Sequence, residues 1–139
     1  MPPAAPQSNS SLRDNRTHRV SSVDAHLAAV TPRGLDVFNA ITDHPKPTIA
    51  AVQGKCIAGG LMLCWPCDLI VASEDAQFAD PVARMGIGGV EYHGHTWELG
   101  PRKAKEMLFT AKPVSALEAE RRGMVNRVVP ADELQDQTL

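Results

Sequence analysis

The pattern of apolar and polar positions along the chain predicts strands that alternate with helices. Thr48 to Gln53 is apolar and β-branched and predicts a buried strand, Asp68 to Ala72 predicts a second, and Ala76 to Ala79 predicts a short third. The apolar stretch from Gly60 to about Trp65 predicts a helix between the first two strands. Strands and helices in this order are typical of an α/β fold with parallel strand pairing.

The later part of the chain carries recognisable helix boundaries. Pro101 to Thr110 is amphipathic, and its proline falls in the first turn, where proline is tolerated. Ser115 and Glu118 have the spacing of a capping box, and Gly123 ends the helix that this box opens. Met124 to Val129 then predicts another strand.

The beginning of the chain has a different character. A helix is predicted from about Gly34 to Thr42, ending before His44-Pro45, because the residue before a proline avoids the helical region. Residues 1–24 are rich in Pro, Ser, Asn and Arg, and we expect a disordered tail there, with a folded domain over 25–139.

Composition narrows the class of protein. The chain has 139 residues, of which 43% are apolar, enough for one modest core. A net charge of −2 and 4% aromatic residues argue against nucleic acid and anionic membranes as partners. The start of the chain does not have the pattern of a secretory signal, and three cysteines do not indicate a disulfide framework. We therefore expect a cytoplasmic protein.

The segment Ala58-Gly59-Gly60 lies between a predicted strand and a predicted helix. The first turn of a helix has N–H groups without intrahelical partners, and the helix dipole adds partial positive charge there. Glycine lets a ligand oxygen approach the backbone because it has no Cβ. The turn is therefore a candidate site for an anion or a developing oxyanion, unless its glycines serve only to make the turn tight.

The order and spacing of several segments resemble the crotonase family of enoyl-CoA hydratases and isomerases, over roughly 43–134. The matching segments include PTIAAVQG at 47–54, AGG at 58–60, CDLIVA at 67–72, AQFADP at 76–81, LGPRKA at 99–104 and AERRGMVNRVV at 119–129. The resemblance implies a partial crotonase (ClpP-like) spiral, with short parallel strands backed by helices. It also implies an acyl-CoA substrate. Coenzyme A would enter only as part of that substrate, with no separate cofactor.

The resemblance implies roles for residues around the glycine turn. Gly59 would donate one oxyanion-hole N–H to the thioester oxygen, which becomes enolate-like during reaction. The family's two hydratase glutamates fall at Met62 and Val82 of this sequence, so two-glutamate hydration is not available to it. The residues expected to contact substrate are Ala58, Gly60, Met62, Asp80 and Val82.

A proton carrier must then come from elsewhere. Glu91 follows the Gly86-containing turn and is the candidate acid or base, although Glu91, His93 and His95 have the alternative interpretation of solvated loop residues. Two histidines at this spacing could also bind a metal, but without a recognisable third ligand we expect none.

Two further motifs have competing interpretations. Cys64 and Cys67 form a CxxC, but they lie at the end of the predicted helix rather than at its beginning, which favours buried structural cysteines over a redox pair. The charged start of the helix at Arg102, Lys103 and Lys105 could contact coenzyme A phosphates or simply face solvent.

The resemblance also shows which parts of the family's domain have no counterpart here. Nothing before His44 resembles the loop that supplies the second oxyanion N–H, and the resemblance implies a further C-terminal helical region beyond the position of Leu139. We expect a central segment of the domain, whose intact form assembles as trimers or hexamers. The leading hypothesis is an acyl-CoA enzyme of the hydratase/isomerase type; the alternative is a catalytically inactive fragment or subunit-interaction module.

Overall fold

The computed structural model describes residues 36–87 and 93–138, and the predicted tail over 1–24 and the residue Glu91 lie outside this part. A first helix, α1, occupies 36–42, in agreement with the prediction up to Thr42. The strands in the described part are β1 (Ile49–Val52), β2 (Lys55–Ile57), β3 (Leu69–Ser73), β4 (Gln77–Ala79), β5 (Val114–Ser115) and β6 (Arg127–Val129). The later helices are α2 (Gly59–Cys64), α3 (His95–Thr110), α4 (Ala116–Arg121) and α5 (Leu134–Thr138).

Strands β1, β3 and β6 form one parallel sheet with β3 in the centre. The apolar strands predicted around 48–53 and 68–72 are the first two of these. Ile49 lies opposite Leu69, and Val71 lies opposite Arg127. Asn126 fixes the approach of β6, because its side-chain oxygen accepts from the Ile70 amide at 2.8 Å. Parallel pairing and intervening helices confirm the predicted α/β class.

Strands β2, β4 and β5 form a second sheet, in which β2 and β4 are parallel and β4 and β5 are antiparallel. The predicted strand near Ala76 to Ala79 is confirmed as β4. Strands β2 and β5 are too short to give a periodic signal, and the sequence pattern did not predict them. The β2–β4 pair matters for the candidate site, because the glycine turn directly follows β2.

Helix α3 begins earlier than predicted, at His95 rather than Pro101. It is kinked at Gly100, whose φ of 72° and ψ of 160° are accessible essentially only to glycine. Pro101 therefore does start a helical segment, but a preceding turn joins it through the kink. The predicted capping box is confirmed in its first half, since the Ser115 hydroxyl accepts from the Glu118 amide at 3.3 Å.

One hydrophobic cluster includes residues of both sheets. Its largest fully buried side chains come from strands, helices and connections: Leu61, Phe78, Met107, Val114 and Val125. A smaller cluster on the outer side of the first sheet consists of Val71, Val129 and Leu134. Within the described residues, no helix is both long and apolar enough to cross a membrane.

Candidate active site

The turn between β2 and α2 has an unusual backbone at Ala58. Its φ of 47° and ψ of −101° are rarely adopted by residues with a side chain, at a cost on the order of 1–3 kcal/mol. Hydrogen bonds hold this conformation. The Ala58 amide donates to the Ala79 carbonyl at 2.9 Å, and the Ala58 carbonyl accepts from the Leu61 amide at 2.9 Å. The bonds to β4 and α2 thus fix the direction in which the next residue presents its N–H group.

The two glycines of the turn have different surroundings. Gly59 is exposed, and a Cβ added there would meet no atom within 4 Å. Among the described residues, its amide has no hydrogen-bond acceptor. A Cβ added at Gly60 would lie 3.1 Å from the Cys56 sulfur, so Gly60 allows α2 to pack closely on β2. Gly59 therefore has the open surroundings that a ligand needs, and Gly60 serves close packing.

The two positions where the resemblance places glutamates are apolar and half-buried. Met62 lies on α2, and Val82 lies in the turn after β4, where its carbonyl accepts from the Ile87 amide at 3.0 Å. Neither side chain can carry a proton. Any proton transfer at this turn must therefore involve other side chains.

Asp80 and His95 form a buried polar pair next to the turn. Asp80 directly follows Ala79, the residue that accepts from the Ala58 amide, and its carboxyl oxygen lies 3.0 Å from His95 Nε2. Asp80 is 4% exposed and His95 is 3% exposed. The His95 ring also packs edge-on against Trp65, with ring centres 4.7 Å apart. Trp65 directly follows the last residue of α2, so His95 lies at the C-terminal end of this helix.

Each member of this pair has one buried polar atom without a hydrogen-bond partner among the described residues: Asp80 Oδ1 and His95 Nδ1. Burial lowers the pKa of His95 below that of an ordinary histidine, although the neighbouring Asp80 opposes the change. A neutral ring that donates from Nε2 to Asp80 keeps an acceptor lone pair at Nδ1. The arrangement is that of a neutral base held by a carboxyl group.

The interpretation of His95 as a solvated loop residue is wrong, because it is buried in the first turn of α3. His93 is exposed, so the two histidines do not share an environment. No group of three or more His, Cys, Asp or Glu within 36–87 and 93–138 is arranged to hold a metal ion. The pairing of Asp80 with His95 was not predicted. The only signal for it was a carboxylate at the end of an apolar strand.

The cysteines are arranged differently from what the CxxC suggests. The close sulfurs are those of Cys56 and Cys64, which lie 3.7 Å apart and buried. Cys67 donates instead to the Leu63 carbonyl at 3.4 Å, and burial raises the pKa of its thiol. The CxxC does lie at the end of α2, as predicted.

The charged residues at the start of the second segment of α3 also differ from one another. Lys103 is 2.9 Å from Glu118 and 3.2 Å from Glu106, so its charge links α3 to α4. These carboxylates raise the pKa of Lys103. Arg102 and Lys105 are exposed. Contact with coenzyme A phosphates therefore stays a prediction for Arg102 and Lys105 rather than for Lys103.

The family model described as enoyl-CoA hydratase/isomerase matches residues 15–139. The chain belongs to this family. The resemblance seen in the sequence is thereby confirmed, and by family the chain belongs among enzymes. The fold is confirmed as well, since the solved structures that resemble it include two described as probable enoyl-CoA hydratases.

Three of the most similar proteins illustrate this family membership. The crystal structure of a probable enoyl-CoA hydratase from Mycobacterium smegmatis has a TM-score of 0.78 and 65% identity, with 86% of this chain and 49% of that one covered. "Putative enoyl-CoA hydratase EchA13" of Mycobacterium tuberculosis is 58% identical over 68% of this chain and 30% of its own length. Crotonyl-CoA hydratase of Syntrophomonas wolfei is 41% identical over 73% of this chain and 40% of its own length. The chain thus spans less than half the length of each of these proteins.

Proposed function

We propose that this protein binds an acyl-CoA thioester and stabilises its enolate-like oxyanion through the amide of Gly59. Coenzyme A enters as part of the substrate, and no separate cofactor takes part. The reaction is of the enoyl-CoA hydratase/isomerase type. In the intact assembly, which we expect to be a trimer or hexamer, a second N–H group from outside the described residues completes the oxyanion hole.

The surroundings of Gly59 are the observation that supports this proposal most directly. Its amide lacks an acceptor among the described residues, and the space on its Cβ side is open. The strained backbone of Ala58 is held by hydrogen bonds to both neighbouring elements. A donor fixed in this way costs little reorganisation when negative charge develops on the thioester oxygen, so it stabilises the transition state more than the ground state.

Other residues near this turn have proposed supporting roles. Ala58 and Gly60 flank the donor, Met62 and Val82 provide apolar contacts to the acyl chain, and Asp80 directly follows the residue whose carbonyl holds the Ala58 amide. Because Met62 and Val82 carry no ionisable group, we propose Glu91 as the acid or base. In the Glu91→Gln variant, turnover of an enoyl-CoA should fall while acyl-CoA binding persists; unchanged turnover would reject this role.

The contribution of the carbonyl oxygen can be measured with two matched ligands. Butyryl-CoA is a saturated thioester, and S-butyl-CoA is the corresponding thioether without the carbonyl oxygen. We expect butyryl-CoA to bind about tenfold more tightly in calorimetry, since a hydrogen bond to the amide contributes about 1.4 kcal/mol. Equal affinities, or no binding of either ligand to the folded chain, would overturn the proposal.

Two substitutions at Gly59 separate the amide from the side-chain space. Gly59→Ala keeps the N–H, and its methyl group meets no protein atom within 4 Å, so it should keep the preference for butyryl-CoA over S-butyl-CoA even where the methyl group weakens the binding of both ligands. Gly59→Pro removes the N–H and should lose the preference for the thioester. Because Ala58 has a backbone that a following proline disfavours, thermal unfolding must first establish that Gly59→Pro is folded. The two-ligand comparison does not depend on that variant.

A further inference from the structure

The sulfurs of Cys56 and Cys64 meet at the junction of β2 and α2. They lie 3.7 Å apart, and both residues are buried, at 7% and 4% exposure. A disulfide bond requires about 2.05 Å, so the two sulfurs must approach by a further ~1.7 Å. Eight positions separate the two cysteines, and the chain between them contains the turn at Ala58 and Gly59.

A groove connects this junction with solvent. It has a volume of about 370 Å³ and is lined by all three cysteines, together with residues that include Val52, Lys55 and Gly60. A small sulfur-containing reagent can therefore approach the pair from the β1 side of α2. The exposed Lys55 adds a positive charge to the lining, which favours an anionic reagent.

The two thiols have unequal acidity. The two sulfurs share a hydrogen bond in which either thiol can donate; this contact lowers the pKa of Cys56, while the contact and burial raise the pKa of Cys64. Cys56 is therefore the sulfur that more readily becomes a thiolate, and the thiolate is the attacking species in disulfide exchange. Cys67, whose thiol donates to the Leu63 carbonyl, has no comparable partner sulfur among the described residues.

We propose that Cys56 and Cys64, rather than the CxxC pair Cys64 and Cys67, form a reversible dithiol–disulfide site whose oxidant is a low-molecular-weight disulfide such as oxidised glutathione. The Cys56 thiolate attacks one glutathione sulfur and releases one glutathione thiolate. Cys64 loses its proton to solvent, attacks the Cys56 sulfur and releases the second glutathione. Two protein thiols are oxidised by two electrons, and one glutathione disulfide is reduced to two thiols.

The position of this site links it to the glycine turn. A Cβ at Gly60 would lie 3.1 Å from the Cys56 sulfur, so Gly60 rests directly on this atom. Moving the sulfur toward Cys64 changes the contact that it makes with Gly60 and closes a ring around Ala58 and Gly59. We therefore expect oxidation to weaken butyryl-CoA binding, and this consequence, unlike the disulfide itself, rests on the proposed function.

Cyanogen bromide cleavage identifies the bond. All three cysteines lie between Lys55 and Arg84 with no basic residue between them, so trypsin leaves them in one peptide. Cleavage after Met62 and Met85 separates Cys56 from fragment 63–85, which contains the other two cysteines. After treatment with oxidised glutathione, we expect the fragment ending at Met62 to be linked to fragment 63–85. Unlinked fragments with an internal Cys64–Cys67 bond, or with glutathione adducts only, would overturn the proposal.

Single substitutions distinguish a Cys56–Cys64 bond from a Cys56–Cys67 bond, which would also link the two fragments. Cys67→Ser should still lose two free thiols and give linked fragments, whereas Cys56→Ser and Cys64→Ser should give no linked fragments. If Cys67→Ser abolishes the link, the bond is Cys56–Cys67 and the proposal is wrong. Butyryl-CoA titration of the reduced and oxidised wild-type chain completes the test. If the reduced chain does not bind butyryl-CoA, the proposed function is rejected. The fragment masses still show whether the Cys56–Cys64 disulfide forms.

Discussion

Burial of the Asp80–His95 pair costs folding free energy, and this cost depends on pH. A neutral histidine can be buried with one hydrogen bond, but an imidazolium ion loses much more hydration. His95 is 3% exposed, and its Nδ1 has no partner among the described residues. Burial is the main reason that its pKa is lowered, and it exceeds the opposing attraction of Asp80. The folded protein therefore favours the neutral ring.

We predict that the chain loses stability as the pH falls below about 6.5. An unfolded histidine takes up a proton near that pH, whereas His95 in the folded state does so only at a lower pH. The unfolded state therefore binds more protons between these two pKa values, and stability falls through this window as the pH falls. Each unit by which the pKa is lowered corresponds to about 1.4 kcal/mol. Urea unfolding midpoints measured from pH 7.5 to 5 give the slope of stability against pH.

Two glutamine variants provide the comparison. His95→Gln keeps an amide donor for Asp80 but cannot take up a proton, so its stability should change less with pH. His93→Gln removes an exposed histidine and should keep the wild-type slope. Equal slopes for the wild type and His95→Gln would show that His95 is not responsible.

The residues of the candidate site that belong to a short motif could be predicted from the sequence. The Ala58-Gly59-Gly60 motif indicated the turn, and the structure places Gly59 in an open position there. Local spacing could not predict that His95 pairs with Asp80, because fifteen positions separate them and the contact depends on how α3 packs against β4. The different surroundings of Gly59 and Gly60 likewise depend on where Cys56 lies.

At the scale of elements, helix α2 approaches strand β2 through Gly60. Gly60→Ala would place a methyl carbon 3.1 Å from the Cys56 sulfur, which is itself held 3.7 Å from Cys64. Overpacking of this kind costs about 1–3 kcal/mol. Gly59→Ala adds the same methyl group to the same helix, where no atom lies within 4 Å. We predict that Gly60→Ala is less stable than Gly59→Ala by about 1 kcal/mol in urea unfolding.

Removal of the opposing sulfur provides the matched control for this contact. In a Cys56→Ala background, the methyl group at position 60 no longer meets sulfur, so Gly60→Ala should cost less than in the wild type. The difference is the coupling energy of a double-mutant cycle. An unchanged cost would show that the contact with Cys56 does not determine the requirement for glycine.

Elements with long or strongly marked patterns were predicted best. Strands β1 and β3 are apolar runs, and α4 has Ser115 as its cap, so composition and capping chemistry locate them. Strands β2 and β5 have three and two residues, too few to show a period, and they exist because β4 pairs with both. The first turn of α3 precedes a kink at Gly100, a glycine that from sequence alone reads as a boundary.

At the scale of the whole molecule, the two sheets do not have separate cores. The main cluster contains Val52 and Ile70 of the first sheet and Phe78 and Val114 of the second. The chain also spans less than half the length of the relatives compared above, and apolar side chains such as Ile49 and Leu69 are 43% and 42% exposed. A core shared by both sheets should make the described part of the chain unfold as a single cooperative unit.

We predict one cooperative unfolding transition, because Trp65 packs within the cluster that joins both sheets. The chain has two tryptophans, Trp65 at 5% and Trp97 at 91% exposure. In the Trp97→Phe variant, fluorescence reports on Trp65 alone, and loss of so exposed a side chain should leave the midpoint unchanged. Urea unfolding followed by Trp65 fluorescence and by far-ultraviolet circular dichroism should then give coincident curves. If the core signal at Trp65 is lost before the secondary structure, the sheets do not unfold as one unit, and ligand-induced shifts in midpoint must be assigned to a subregion.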